Sequence, residues 1–271
     1  MFSQVAPGKS AMLWLPRLVT SEPCSTANQL YAATWELLHH YGVALAKVLL
    51  PTKVSETDLA MLQLGRFRYL ANLFYLVAPE CGFLATTPIG PIDFEPYQSG
   101  DRQRWTRMIE ATCTDTLDCP GLRDLRNTED ILAEYRSTGV FSPGLWWIAR
   151  HRGRAVGCVL LADHPGHSAM EVLYLGLIPA ARGRGWGRLL ARHAQAIASK
   201  AGRRRLILAV DAANRPAVQT YMAVGFRALQ RRRLYVRQLP SANDWHTSSE
   251  QVFHPDARNV GADSSVAGRQ T

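Results

Sequence analysis

The stretch from Glu171 to Phe226 constrains this chain most, because it dictates a strand, a glycine-rich turn, a helix and a second strand in direct succession. Residues 171–178 form an apolar run that reads as a strand, and Pro179 ends it because proline has no N–H to give to a ladder. A turn of small and basic residues follows, from Ala180 to Arg188. It opens a helix in which Leu190, Ala194, Ile197, Ala198 and Ala201 share one face. Gly202 suits the left-handed residue that closes such a helix. Residues 206–210 are apolar throughout and predict a strand covered on both faces.

That order builds an anion site. The first N–H groups of a helix lack intrahelical partners, and the helix dipole favours negative charge beside them. Gly183, Gly185 and Gly187 let a ligand approach the backbone where a Cβ would obstruct it. From Arg182 to Val210 there are eight Lys/Arg residues and no Asp or Glu, a setting for a polyphosphate. No Lys-Ser/Thr pair follows the glycines, and position 188 is Arg, so neither the P-loop nor the dinucleotide fingerprint fits. The pattern is R-x-x-G-x-G.

Here the sequence resembles the GNAT superfamily of N-acetyltransferases. The family's pyrophosphate motif, Q/R-x-x-G-x-G/A after a strand, is matched by Arg182, Gly185 and Gly187. A second signature, N-x-x-A-x-x-x-Y-x-x-x-G-F, is matched by Asn214, Ala217, Tyr221, Gly225 and Phe226. The resemblance covers roughly residues 93–239. It implies a mixed α/β (α+β) fold, a central sheet flanked by helices, and transfer of an acetyl group from acetyl-CoA to a primary amine within a ternary complex, without a metal. It implies cofactor contacts from Leu175, Gly176, Leu177, Arg182, Gly183, Arg184, Gly185, Trp186, Gly187, Arg188 and Asn214. Tyr221 occupies the family's general-acid position. Glu171 stands where several histone-type members carry a general base, and reads equally well as a solvated residue at a strand start. Asp211 could instead cap the helix at Asn214, His164 and His167 fall in a turn, and ordered water could relay the proton.

Length and composition fit an ordinary soluble protein with room for one large domain or two small ones. Its longest apolar run is too short to cross a bilayer. Five cysteines without a C-x-x-C pair argue against disulfides and zinc, and for a reducing cytoplasm. The net charge of +9 is partly absorbed by the basic turn and Arg203–Arg205. Arg231–Arg233 reads as a solvated hairpin tip between strands at 226–230 and 234–239. Without interleaved aromatics these clusters argue against nucleic acid, although a basic nucleic-acid-binding protein and a non-catalytic scaffold remain alternatives.

The chain also repeats itself. Shifted by 160 residues, Ala11 falls on Glu171, Leu30 on Leu190, Gly42 on Gly202 and Gly65 on Gly225. The first copy has lost the motif: Glu22, Ser25 and Ala27 replace Arg182, Gly185 and Gly187, and Val54 and Met61 replace Asn214 and Tyr221. The expected organisation is therefore a degenerate half-domain (1–78), a Pro/Gly-rich linker (79–92), a complete domain (93–240) and a disordered tail (241–271), assembled as a monomer or homodimer. Residues 1–10 give no clear signal. Helices are expected at 101–112 and 128–138, a loop at 112–120, and a hairpin from 145 to 162.

Overall fold

A computed structural model describes residues 1–19, 22–98 and 100–240; the expected tail at 241–271 lies outside the described residues. A hairpin opens the chain, with β1 (Phe2–Ala6) and β2 (Ser10–Trp14) antiparallel. β1 corrects the reading of residues 1–10. It is an edge strand with three of its five positions exposed, so it lacks the apolar alternation that marks a strand. Next come α1 (Cys24–His40), β3 (Leu45–Pro51), α2 (Glu56–Leu64) and β4 (Arg68–Pro79). Ser55 caps α2 by accepting the Asp58 N–H, an interaction worth about 1 kcal/mol. Beyond residues 80–92 lie β5 (Asp93–Pro96), α3 (Arg102–Cys113), a short α4 (Pro120–Arg123) and α5 (Thr128–Ser137), the last capped by Asn127. The chain continues with β6 (Trp146–His151), β7 (Arg154–His164), β8 (Ala169–Leu177), α6 (Trp186–Lys200), β9 (Arg205–Asp211), α7 (Arg215–Met222) and β10 (Arg227–Gln238).

The strands form one mixed sheet in the order β1-β2-β3-β10-β4-β9-β8-β7-β6-β5. The repeat is visible element by element: β2-α1-β3-α2-β4 matches β8-α6-β9-α7-β10. Each half lends its last strand to the other, since β4 lies beside β9 and β10 lies beside β3. The registers agree along the whole length. Leu73 faces Asp211 as Arg232 faces Pro51, and Pro79 faces Arg205 as Gln238 faces Leu45. Leu73 and Arg232 also face each other, so a pseudo-twofold axis passes between β4 and β10 at that pair. The parallel pairs are one residue out of the sequence alignment: Ser10 pairs with Leu45, whereas Ala169 pairs with Arg205. The structure therefore sets Met12, not Ala11, opposite the place of Glu171.

Two further expectations are corrected by the sheet. Arg231–Arg233 is no hairpin tip, because β10 runs unbroken through it, held on both edges by β3 and β4. The arginines look like a turn only when read without the two neighbours that satisfy their backbone. β9 is covered on one face only: Leu206, Leu208 and Val210 are buried, while Ala209 is exposed and Ile207 half-exposed. Short apolar side chains on an open face hide the alternation that would have shown this.

Two cores hold the second half together. Under α6, Leu190, Ala194 and Ala198 pack with Leu161, Met170, Leu206 and Leu208. On the opposite face, Trp105, Ile109 and Leu132 of α3 and α5 pack with Trp146, Ile148 and Leu160. Each fully buried leucine contributes about 2 kcal/mol. The sheet is thus clamped between α6 and α3/α5, which fixes the gap between β8 and β9.

Candidate active site

β8 and β9 pair in parallel only from Ala169 to Val172 and from Arg205 to Leu208. Beyond that the strands part, and the cause is local. Against β7, the register jumps from Val172↔Leu161 to Tyr174↔Leu160, leaving Leu173 as the extra residue of a bulge. A bulge bends its strand, here at the residue after the last β8–β9 pair. The wedge so opened belongs to a cleft of about 1560 Å³. Leu175, Gly176 and Leu177 line one side, and Gly183, Gly185, Trp186, Gly187 and Arg188 form the turn at its end. Asn214 and Tyr221 stand across from them. Sequence-predicted residues separated by more than forty positions are thus brought around one cavity.

The glycines do different jobs. Gly183 and Gly185 both take φ near 75°, a left-handed conformation that glycine adopts without strain, and a Cβ on either would meet only open space. Gly187 is a packing glycine instead, since its Cβ would come within 3.3 Å of Thr220 on α7. The turn's backbone faces the cleft at the N-terminus of the fifteen-residue α6, where an anion is favoured. Arg184 lies over the Trp186 ring at 5.2 Å. Among the described residues neither Arg184 nor Arg188 has a carboxylate partner. Arg182 behaves otherwise. Its guanidinium donates to the carbonyls of Leu177, Thr112, Thr114 and Asp115, so the side chain staples the end of α3 to β8. Gly176 allows that contact, because a Cβ there would sit 2.7 Å from the Tyr174 hydroxyl and 2.9 Å from Thr112 Cβ.

Tyr221 is 7% exposed and packs edge-on against Phe226 at 5.5 Å. Burial, with the nearby Asp118 charge, pushes its hydroxyl well above the usual tyrosine range. It therefore stays protonated and able to donate at neutral pH. Asn214 caps α7 by accepting the Ala217 N–H at 3.3 Å. Glu171 lies up the strand from Leu173, outside the cleft lining. It pairs with His164, Nε2 to Oε2, at 2.9 Å. His164 is thus a half-buried partner at the end of β7, not the turn residue expected, whereas His167 is exposed.

The sequence predicts only a loop at 112–120, yet in the structure Asp118 of that loop lines the cleft. Asp118 Oδ1 accepts the Asp211 N–H at 2.8 Å, and Asp211 Oδ2 accepts the Cys119 N–H at 3.2 Å, a reciprocal latch between loop and β9. Asp211 does not cap α7 directly; its Oδ1 accepts the Ala213 N–H. The Asp118 residue opens to solvent through the cleft, while its carboxyl is walled by β9, α5 and α7. Enclosure raises its pKa, with Asp211 adding to the rise and hydrogen bonds from the Asp211 N–H and Asn214 opposing it. No sequence motif marks Asp118, because only the folded sheet brings the loop to β9.

The site is thus a sheet parted by a bulge, with a glycine turn at a helix N-terminus on one side and a buried tyrosine on the other. Residues 109–226 match the model of the acetyltransferase (GNAT) family, and the chain carries a GNAT-family domain there. No curated protein sequence is significantly similar to the chain. Among solved structures, a GCN5-related N-acetyltransferase from Sphaerobacter thermophilus is similar at TM-score 0.58 and 17% identity, over 88% of this chain and 76% of that one. One from Kribbella flavida gives 0.54 and 14%, over 90% and 91%. A tandem GNAT protein from the clavulanic acid biosynthesis pathway gives 0.52 and 12%, over 86% and 76%. At these identities the likeness is one of fold. Among the described residues no helix is long and apolar enough to cross a membrane, and no group of three His, Cys, Asp or Glu could hold a metal ion.

Proposed function

We propose that this chain is an acetyl-CoA-dependent N-acetyltransferase that moves an acetyl group directly onto a primary amine. The observation that carries the reading is the wedge after Val172, flanked by the glycine turn and by Tyr221. The free edge of β8 at Leu175, Gly176 and Leu177 offers backbone groups to an extended amide-bearing arm. The α6 N-terminus, with Arg184 and Arg188, offers positive potential to a pyrophosphate. Two left-handed glycines leave that approach open. Arg182 supports this cradle through its carbonyl staples, not through a charge aimed at the ligand. Tyr221, held protonated by burial, supplies in this reading the proton that a departing thiolate needs.

The division of labour we infer gives residues 93–240 the chemistry and residues 1–78 the completion of the sheet. Among the described residues Cys81, Cys113, Cys119 and Cys158 form no disulfide, which fits a reducing cytoplasm. The pseudo-twofold pairing within one chain favours a monomer, with a homodimer as the other assembly to test. The deciding experiment is calorimetry of acetyl-CoA binding together with thiol release in the presence of primary amines. Tyr221→Phe should lower kcat roughly 10²-fold while leaving acetyl-CoA affinity within twofold. Wild-type protein that binds no acetyl-CoA would leave the scaffold reading in its place.

A further inference from the structure

The acceptor end of the cleft has its own chemistry. Beyond Tyr221 it is walled by Leu73 of β4, Leu122 of α4, Ile131 and Tyr135 of α5, and Leu234 of β10. Leu73, Leu122 and Leu234 belong to one apolar cluster, and α4 sits so close to β4 that a Cβ on Gly121 would meet Leu70 at 2.9 Å. This wall exists only because β4 of the first half has been inserted beside β9. At its inner end stands the Asp118 carboxylate.

The charged and titratable groups around Asp118 can be followed element by element. Asp211 faces it from β9, Tyr221 from α7 and Tyr135 from α5, with Cys119 beside it. None of these is a cation. Asp118 and Asp211 therefore form a negative pole in an otherwise apolar pocket. Of the other arginines that line the cleft, Arg182 is spent on four carbonyls, Arg188 lies in the glycine turn and Arg107 is an exposed residue of α3. Arg126, in the segment before α5, is already committed. It pairs with Glu134 at 2.7 Å and donates to the carbonyls of Gly8 and Asp130, and its unpartnered Nε is sealed from solvent, hence from any ligand. Around Asp118 the described residues thus offer a negative pole for a positive head and apolar walls for a body, and no uncommitted cation among the groups that face the carboxylate.

Resting on the acetyltransferase reading, we propose that the acceptor is a primary amine on an apolar body, with its ammonium held and deprotonated by Asp118 and its body lodged between Leu73, Leu122, Ile131 and Leu234. The proton balance is complete within the cleft. The ammonium gives one proton to Asp118, which passes it to solvent. The neutral amine attacks the thioester carbon and a C–N bond forms. As the C–S bond breaks, Tyr221 gives its hydroxyl proton to the thiolate and recovers one from the acylated nitrogen, directly or through water. Glu171 is paired with His164 and lies outside the lining, so the scheme does not call on it.

Asp118→Asn separates this role from the latch, since asparagine keeps an Oδ1 to accept the Asp211 N–H. With wild-type protein, kcat/KM should rise about fourfold per methylene from ethylamine to hexylamine, as apolar burial predicts. Glycine and spermine should be poor acceptors. In Asp118→Asn, kcat/KM for hexylamine should fall 10²- to 10³-fold, and its pH profile should climb towards the pKa of the amine itself. Acetyl-CoA affinity by calorimetry should not change. Aniline is already neutral at pH 7, so its rate should fall less than tenfold in the same variant. An equal penalty for hexylamine and aniline would overturn the role of Asp118. A flat alkylamine series in wild-type protein, or a preference for glycine or spermine, would overturn the acceptor class even if Asp118→Asn failed to fold. Absence of acetyl-CoA binding by the wild type would instead sink the reading on which this one rests.

Discussion

The two halves of the sheet share one plan and differ at one place. Both run strand, helix, strand, helix, strand, and both pair their last strand into the other half in the same register. The second half has a wedge with a glycine turn at its end. In the first half the corresponding space is closed. Leu15 and Pro16 are buried where the second half opens, and Arg17 reaches across to Asp58 in the first turn of α2 at 3.0 Å. The helix that follows starts after Pro23, with no left-handed glycine at its N-cap. What survives in the first half is packing, and what is gone is the access and charge that bind a ligand. Burial and function are therefore separable demands on the same fold.

The severest way to break the comparison is to remove the first half. Deleting residues 1–78 takes β4 from between β9 and β10, so the second half loses the central pair of its sheet along with the Leu73 wall. Three strand edges, one of β9 and both of β10, and the faces of Leu208, Val210 and Leu234 would be left unpaired or exposed. The expected product is aggregated or dimeric, with no soluble, active monomer. Size-exclusion chromatography and thiol release check this; an active monomer of 79–271 would make the first half a dispensable appendage.

A gentler comparison uses equivalent positions. Gly185 and Ser25 align in the repeated sequence, although Gly185 is the N-cap of α6 and Ser25 lies in the first turn of α1. Gly185→Asp puts a side chain on a residue at φ 75° and a carboxylate where the pyrophosphate would lie. It should weaken acetyl-CoA binding at least 10²-fold by calorimetry. Ser25→Asp, on an exposed residue at the start of α1, should change it by less than twofold. Equal effects would place the ligand somewhere other than the α6 turn.

Much of this was legible in the sequence, and the boundary is physical. Helix faces, the glycine turn and the repeat are local or fixed-offset patterns, and α1, α3, α5 and α6 appear where periodicity places them. The strand exchange could not be read, because nothing in residues 68–79 or 227–238 encodes which neighbour each will pair with. That is why Arg231–Arg233 reads as a tip when it lies across the pseudo-twofold axis. Asp118 was hidden for the same reason: its partner Asp211 is 93 residues away, and neither lies in a motif. Arg182 was legible as a motif residue, yet its use as a staple of carbonyls depends on the end of α3.

The smallest expected effect concerns the closed wedge itself. Arg17 is largely exposed, whereas Asp58 is nearly buried and also accepts the Ser55 hydroxyl at 2.8 Å. An ion pair with one solvated partner contributes little, so Arg17→Ala should cost no more than about 1 kcal/mol in urea unfolding. Removing the lid does not supply what the first half lacks. The N-cap of α1 is Pro23 in an extended conformation, and Val54 stands in place of Asn214. Calorimetry on Arg17→Ala should therefore still find a single acetyl-CoA site of unchanged affinity. Appearance of a second site would mean that the ion pair alone had silenced the first repeat, and that its loss of glycines and Asn mattered less than the geometry of the gap. A loss of stability well beyond 1 kcal/mol would point instead to Asp58. With its cation gone, the nearly buried carboxylate would be left to the Ser55 hydroxyl and the α2 N-terminus, and Asp58→Asn on the Arg17→Ala background should then restore most of the difference.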